Sequence, residues 1–327
     1  MSTQNTLPLL DGIEPEIVQT LVTRREAIAR TSKFGAAALA AATVPVALAG
    51  LARSAYGQAP TSVLGVLQFA LLLENFEAEL YKAVLGSSAV PAFNAAFAPV
   101  RATFTPTEVA TVTLLRDHEI KHVNFLRAAI TGAGGTPVTY DPAATFDFTG
   151  GRGSRTGPFA PATVDKLFLL AATQGIEDTG VRAYKGQAGF LLGTRTLQEA
   201  LRIHSLEAKH AARVRRMRRT ANPSGTAVRY SGTVQGEGAT AGGPLPAASA
   251  NVPQASLTAL TNAFALIYAG EGNTTHTVNN GSADVALNAA TLPGLSSGAD
   301  VTLAFDEPLT RAQVVAIVQP FVIPTIS

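Results

Sequence analysis

Cysteine is absent from all 327 residues, tryptophan is absent too, and methionine occurs only twice. Without cysteine the fold has no disulfide, no thiolate metal ligand, no iron–sulfur cluster and no lipid-modified N-terminal thiol. Any metal must therefore be held by carboxylate and imidazole, donors that suit iron, manganese or zinc better than copper(I). Charge is scarce as well. Asp, Glu, Lys and Arg make up 15% of the chain, with 25 basic residues against 23 acidic ones. A formal net charge of +2 gives no reason to expect a nucleic-acid partner.

Long apolar runs are missing beyond residue 59. One of about 18 residues lies before it, from Phe34 to Leu51, rich in alanine and interrupted by Pro45. It follows Thr23-Arg24-Arg25 and precedes Arg53 and the small residues of Gly57-Gln58-Ala59. This arrangement resembles a twin-arginine signal peptide spanning residues 1–59, which implies the twin-arginine export machinery and a signal peptidase as partners. Such a run is near the lower limit for a membrane span and is weakly apolar, so no stable anchor is expected after cleavage. The mature chain is expected to be periplasmic or secreted. As that resemblance implies, the route carries proteins already folded, often with their metal inserted.

Histidine is scarce but concentrated. Of five histidines, four (His118, His122, His204 and His210) lie on two helix-like segments. Each segment carries Glu-x-x-His, namely Glu119/His122 and Glu207/His210, and each follows a segment with a lone glutamate, Glu74 or Glu177. Residues three apart share a helix face, so each Glu and His can address one metal. Four carboxylates and two imidazoles in the order Glu, Glu-x-x-His, Glu, Glu-x-x-His are how a four-helix bundle encloses two iron or manganese ions, with zinc as a further candidate. Burying four unpaired carboxylates without cations would be costly, because desolvation and mutual repulsion add.

Apolar spacing predicts helices over 62–86, 107–130, 161–192 and 197–219. Between the second and third, residues 131–160 carry seven glycines and three prolines. A bundle with one long crossover between helices 2 and 3 needs such a connection. Arg213, Arg215, Arg216, Arg218 and Arg219 close the fourth helix and read as a solvated turn favoured by the helix dipole. The chain divides into the signal segment (1–59), the bundle (60–220) and a loop-rich extension (221–327) with two short helices packed on it. Residues 221–252 read as linker, 256–269 as helix and 273–281 as loop. A last helix starts at Thr310, where Gln313 completes a capping box.

His118-Glu119-Ile120-Lys121-His122 also matches the His-Glu-x-x-His of zinc metalloproteases. That site needs a third ligand downstream, and residues 123–176 hold neither His nor Glu. It also leaves Glu74, Glu177 and the second Glu-x-x-His without a role. His118 and His204 read instead as neighbours of the ligands or as surface groups. Tyr81 and Tyr184, each seven residues after a lone glutamate, return to nearly the same helix face. They either pack in the core or hydrogen-bond a ligating carboxylate.

Glu74 with Tyr81, Glu119 to His122, Glu177, and Glu207 to His210 resemble the ligand pattern of ferritin-like di-iron proteins. The stretch Leu73 to Tyr81 and the late Phe305 to Leu309 are closest to an exported branch related to plant desiccation-associated proteins. The resemblance covers about residues 62–322 and implies an all-α fold, a ferritin-like four-helix bundle with a C-terminal helical extension. Within it Glu119 and Glu207 bridge two metals, Glu74 and Glu177 bind terminally, and His122 and His210 each bind one ion. It leaves a homo-oligomer open and makes iron storage a poor fit to the long extension. Two functions follow: oxidase, peroxidase or catalase-like chemistry with dioxygen or peroxide, or a non-catalytic stress protein in which metal only stabilises a scaffold.

Overall fold

The computed structural model describes residues 62–221, 250–279, 284–288 and 306–326. The expected signal segment, Phe305 and nearly all of the 221–252 linker lie outside these residues.

Local chemistry sets the helix ends. Ser62 caps α1 (Val63–Leu85) by accepting from the Gly65 N–H at 3.0 Å, and Gly86 closes it in the left-handed region at φ 76°. Thr105 and Glu108 form a reciprocal capping box at the start of α2 (Pro106–Gly132), with Pro106 in the first turn. The third helix does not start at Pro161 as its spacing suggests. Ala160–Thr163 forms a 3-10 turn, and α3 (Lys166–Gln187) begins where the Asp165 carboxylate accepts from the Phe168 N–H at 2.8 Å. A second 3-10 turn, Ala188–Leu191, replaces the helical end expected near Leu192. The fourth helix, α4, covers Thr196–Ala221.

α1 packs along α2 and α3 along α4, and the two pairs meet through α1–α3 and α2–α4 contacts. The result is a four-helix bundle whose long crossover joins α2 to α3. Two short helical segments, Pro91–Ala96 and Ala98–Arg101, fill the connection between α1 and α2. The crossover is anchored by aromatic burial: Phe146 and Phe148 pack on Phe76 of α1, with ring centroids 5.7 and 5.6 Å away. Asp147, fully buried beneath this loop, accepts from the backbone N–H groups of Thr149, Gly153 and Arg155.

After the bundle, α5 (Gln254–Ile267) and α6 (Arg311–Val318) both pack against α3. Thr310 and Gln313 form the expected capping box. Within the expected 273–281 loop lies a strand, β1 (Thr275–Asn279), which pairs antiparallel with β2 (Asp284–Asn288) in the register Thr277↔Ala286. Thr275, Thr277, Val278 and Val285 supply the β-branched preference that outweighs the polar composition. The segment before α6 crosses α3 closely enough that a Cβ on Gly186 would lie 1.9 Å from the Leu309 carbonyl oxygen. The Leu309 N–H donates to the Arg182 carbonyl at 3.1 Å.

Two of the arginines ending α4 are not a solvated turn. Arg215 reaches Asp178 of α3 at 2.7 Å, and the buried Arg218 donates to Gln174 at 2.5 Å. Both tie α4 to α3. Among the described residues, no helix is long and apolar enough to cross a membrane.

Candidate metal centre

Glu74 sits mid-way along α1, Glu119 and His122 on α2, Glu177 on α3, Glu207 and His210 on α4. All six are buried, and Glu119, Glu177, Glu207 and His210 have no measurable exposure. Helical spacing stacks each Glu-x-x-His pair on the inner face, and the bundle turns the four faces toward one another.

The geometry is built around two imidazole nitrogens. His122 Nδ1 lies 3.0 Å from Glu74, 2.9 Å from Glu119 and 3.4 Å from Glu207. His210 Nδ1 lies 2.8 Å from Glu119, 3.3 Å from Glu177 and 3.8 Å from Glu207. Glu119 thus offers Oε2 to one imidazole and Oε1 to the other, and Glu207 Oε1 stands between both. Two overlapping groups could each hold a cation: Glu74, Glu119, His122 and Glu207, and Glu119, Glu177 and His210.

Electrostatics follow from burial of so many acids. Desolvation, then repulsion from Glu119 and Glu74, pushes Glu207 well above the usual carboxylate range. Burial moves Glu119 up to about 7 despite its imidazole neighbours. Burial alone would lower both histidines, but their carboxylate partners raise His122 to about 10 and His210 to about 9. Four buried carboxylates around two imidazoles call for compensating positive charge, which protons or bound cations can supply. Glu119 Oε1, Glu177 Oε2, both Glu207 oxygens and His210 Nδ1 lack a well-formed hydrogen bond. Such buried, unsatisfied donor atoms, all oxygen or nitrogen, fit divalent iron, manganese or zinc.

Around this centre, the two tyrosines cross over. Tyr184 on α3 donates to Glu74 of α1 at 2.5 Å, and Tyr81 on α1 donates to Glu177 of α3. Each phenol therefore orients the lone glutamate of the other helix pair, which i+7 spacing within one helix does not reveal. His118 takes no place in either cation group. Its ring stacks on His210 at an interplanar angle of 15°, with Nδ1 3.0 Å from His210 Nε2. Burial, then His210, holds His118 below the ordinary histidine value, so its neutral Nδ1 can accept. A His118–His122 zinc pair finds no support in this arrangement. His204 stays apart from both groups.

Glu77 is the buried acid that the spacing argument missed. It lies one turn beyond Glu74 and is 3% exposed, and burial, then Glu74, pushes it well above the usual carboxylate range. The signal was present as Glu74-Asn75-Phe76-Glu77, the same i, i+3 spacing used for the Glu-x-x-His pairs. Gly180 of α3 makes room here. A Cβ at that position would stand 2.7 Å from Glu207 Oε2 and 3.4 Å from Glu77 Oε1.

Residues 62–220 match the family model described as a ferritin-like domain. The chain carries a ferritin-like domain. Its matched span covers α1 to α4 and every residue of the two cation groups. No curated protein and no solved structure gives a match to the chain. The matched span takes in the bundle and its buried acid–imidazole cluster, and the extension lies beyond it.

Proposed function

We propose that the ferritin-like domain holds two iron or manganese ions per chain, bound by Glu74, Glu119, His122, Glu177, Glu207 and His210. The observation that carries this reading is one carboxylate, Glu119, spanning two imidazole nitrogens at 2.8 and 2.9 Å inside a cluster of unsatisfied buried donors. Bound there, such a pair supplies redox chemistry toward dioxygen or peroxide of the oxidase, peroxidase or catalase type. The chain's own residues prepare the site. Glu119 and Glu207 would hold both ions, Glu74 and Glu177 one each, and the two tyrosines orient the Glu74 and Glu177 carboxylates through their hydrogen bonds. The helices exclude bulk water, which strengthens every charge interaction within.

Elemental analysis of natively exported protein tests this directly, with two ions per chain expected. Glu119→Ala should empty both positions, whereas Glu74→Ala or Glu177→Ala should empty mainly one. Protein that retains one ion or none would overturn the reading. Two zinc ions with no turnover of dioxygen or peroxide would point instead to a stabilised scaffold.

For location, we propose export through the twin-arginine route, supported by Thr23-Arg24-Arg25, the alanine-rich run and Arg53. Arg24→Lys combined with Arg25→Lys should retain the precursor inside the cell. Undiminished export of that variant would rule the route out.

A further inference from the structure

A second internal space borders the carboxylate cluster. A cavity of about 20 Å3 lies between the four helices, reaching Thr196 at the start of α4. Leu73, Leu126, Ala200 and Ile203 contribute to its apolar wall, and Tyr184 and Gln187 also line it. Leu73 immediately precedes Glu74, Leu126 follows His122 by one turn, and Ile203 precedes Glu207 by one turn. The cavity therefore abuts the Glu74–His122 side of the centre, and Tyr184 connects the two through its bond to Glu74.

Gln187 is the anomaly. It is 5% exposed, and neither its Oε1 nor its Nε2 has a hydrogen-bond partner among the described residues. Leaving both ends of a buried amide unpaired is unfavourable, and leucine would fill nearly the same volume without that cost. The amide therefore marks a place for something that both donates and accepts.

Size and wall chemistry narrow the occupant. About 10–15 Å3 suffices for one water, so this cavity admits a molecule of roughly two heavy atoms. Its apolar wall disfavours an ion. Dioxygen fits by size but would leave the amide unpaired, and a single water would pair the amide but fill only part of the space. Hydrogen peroxide is uncharged, fits by size and offers both donor and acceptor.

The geometry points to this cavity as a binding pocket for hydrogen peroxide, held by the Gln187 amide beside Tyr184. This rests on the two-metal reading above and narrows its oxidant. Nε2–H donates to one peroxide oxygen while Oε1 accepts from a peroxide O–H, and no covalent bond changes in the pocket. Consumption at the adjoining centre needs no outside reductant, since two molecules of peroxide yield two of water and one of dioxygen.

Two measurements test the assignment. High-resolution crystals of the mature protein soaked in peroxide should show a two-atom occupant beside Gln187, where unsoaked crystals show at most a single water. In the metal-loaded protein, Gln187→Leu should raise KM for peroxide about ten-fold, the scale of one or two lost hydrogen bonds, with a smaller change in kcat. The same variant should melt no lower than the wild type, because Gln187 has no hydrogen-bond partner among the described residues to lose. Ala200→Leu fills the cavity from α4 and should raise KM likewise, which preserves the test if Gln187→Leu fails to fold. Soaked crystals holding only a single water, or an unchanged KM in both variants, would overturn the assignment. A two-atom occupant in protein that never consumes peroxide would overturn the redox reading and leave the pocket standing.

Discussion

Tyr81 and Tyr184 orient the Glu177 and Glu74 carboxylates by reaching across between α1 and α3 rather than along their own helices. Replacing either with phenylalanine keeps the ring and removes one buried hydrogen bond. We expect about a ten-fold loss of metal affinity from each, on the scale that partners of a ligand usually show, measured by chelator competition. The losses should fall on opposite positions: Tyr184→Phe on the Glu74–His122 ion and Tyr81→Phe on the Glu177–His210 ion. Equal losses at both positions would contradict the crossed pairing. His118 is expected to act on one position only. If His210 held an ion through Nδ1, its Nε2–H would donate to His118 Nδ1, 3.0 Å away, and so fix the ring. His118→Ala should therefore weaken the His210 ion about ten- to hundred-fold and move stoichiometry toward one per chain under competition. Retention of two ions with unchanged affinity would show that the stacked pair is packing alone.

At the level of elements, α2 begins with a joint that links local capping to tertiary packing. Glu108 accepts from the Thr105 N–H at 2.7 Å, and Lys166 at the start of α3 lies 3.2 Å from its carboxylate. Burial would raise Glu108, but the Thr105 N–H and Lys166 outweigh it and hold its carboxyl below the ordinary glutamate range. A folded-state value below the unfolded one means stability present above about pH 4.5 and lost as pH falls through the folded value. Gln still completes the capping box but loses the ion pair with Lys166, so Glu108→Gln should cost about 0.2–1 kcal/mol at neutral pH, and the gap should close in acid. A difference that stays constant down to pH 2 in denaturant titrations would count against this. The same region shows where sequence is a good guide. Pro106 marks the start of α2, and Thr310 with Gln313 marks that of α6. The start of α3 was harder to read, because Pro161 and Asp165 both offer plausible beginnings and a 3-10 turn intervenes.

For the whole molecule, what could be read from sequence was what repeats at helical spacing. Glu119/His122 and Glu207/His210 declare shared faces, and the glycine-rich 131–160 connection declares a crossover. Contacts between distant segments leave no such periodic trace. Nothing local in Arg182 indicates that it runs inward to Glu271 at 3.1 Å and to the Ala269 carbonyl at 2.6 Å, holding the extension on α3. Nor does Glu77 reveal its burial until the bundle closes around it. These buried acids make the global stability depend on what neutralises them. Any ion that binds the folded centre and not the unfolded chain stabilises it by RT ln(1 + [L]/Kd), about 2.7 kcal/mol at one hundred times Kd. In a domain of this size each kilocalorie moves the melting point by roughly 2–4 °C. Stripping the metal with a chelator should thus lower Tm by roughly 5–10 °C per ion for which that excess applied, and readdition of iron or manganese should restore it. Glu119→Ala, which leaves neither position complete, should melt at one temperature with or without added metal. Calorimetric scans in which wild-type Tm ignores both chelator and metal would mean that the cluster is balanced by protons alone.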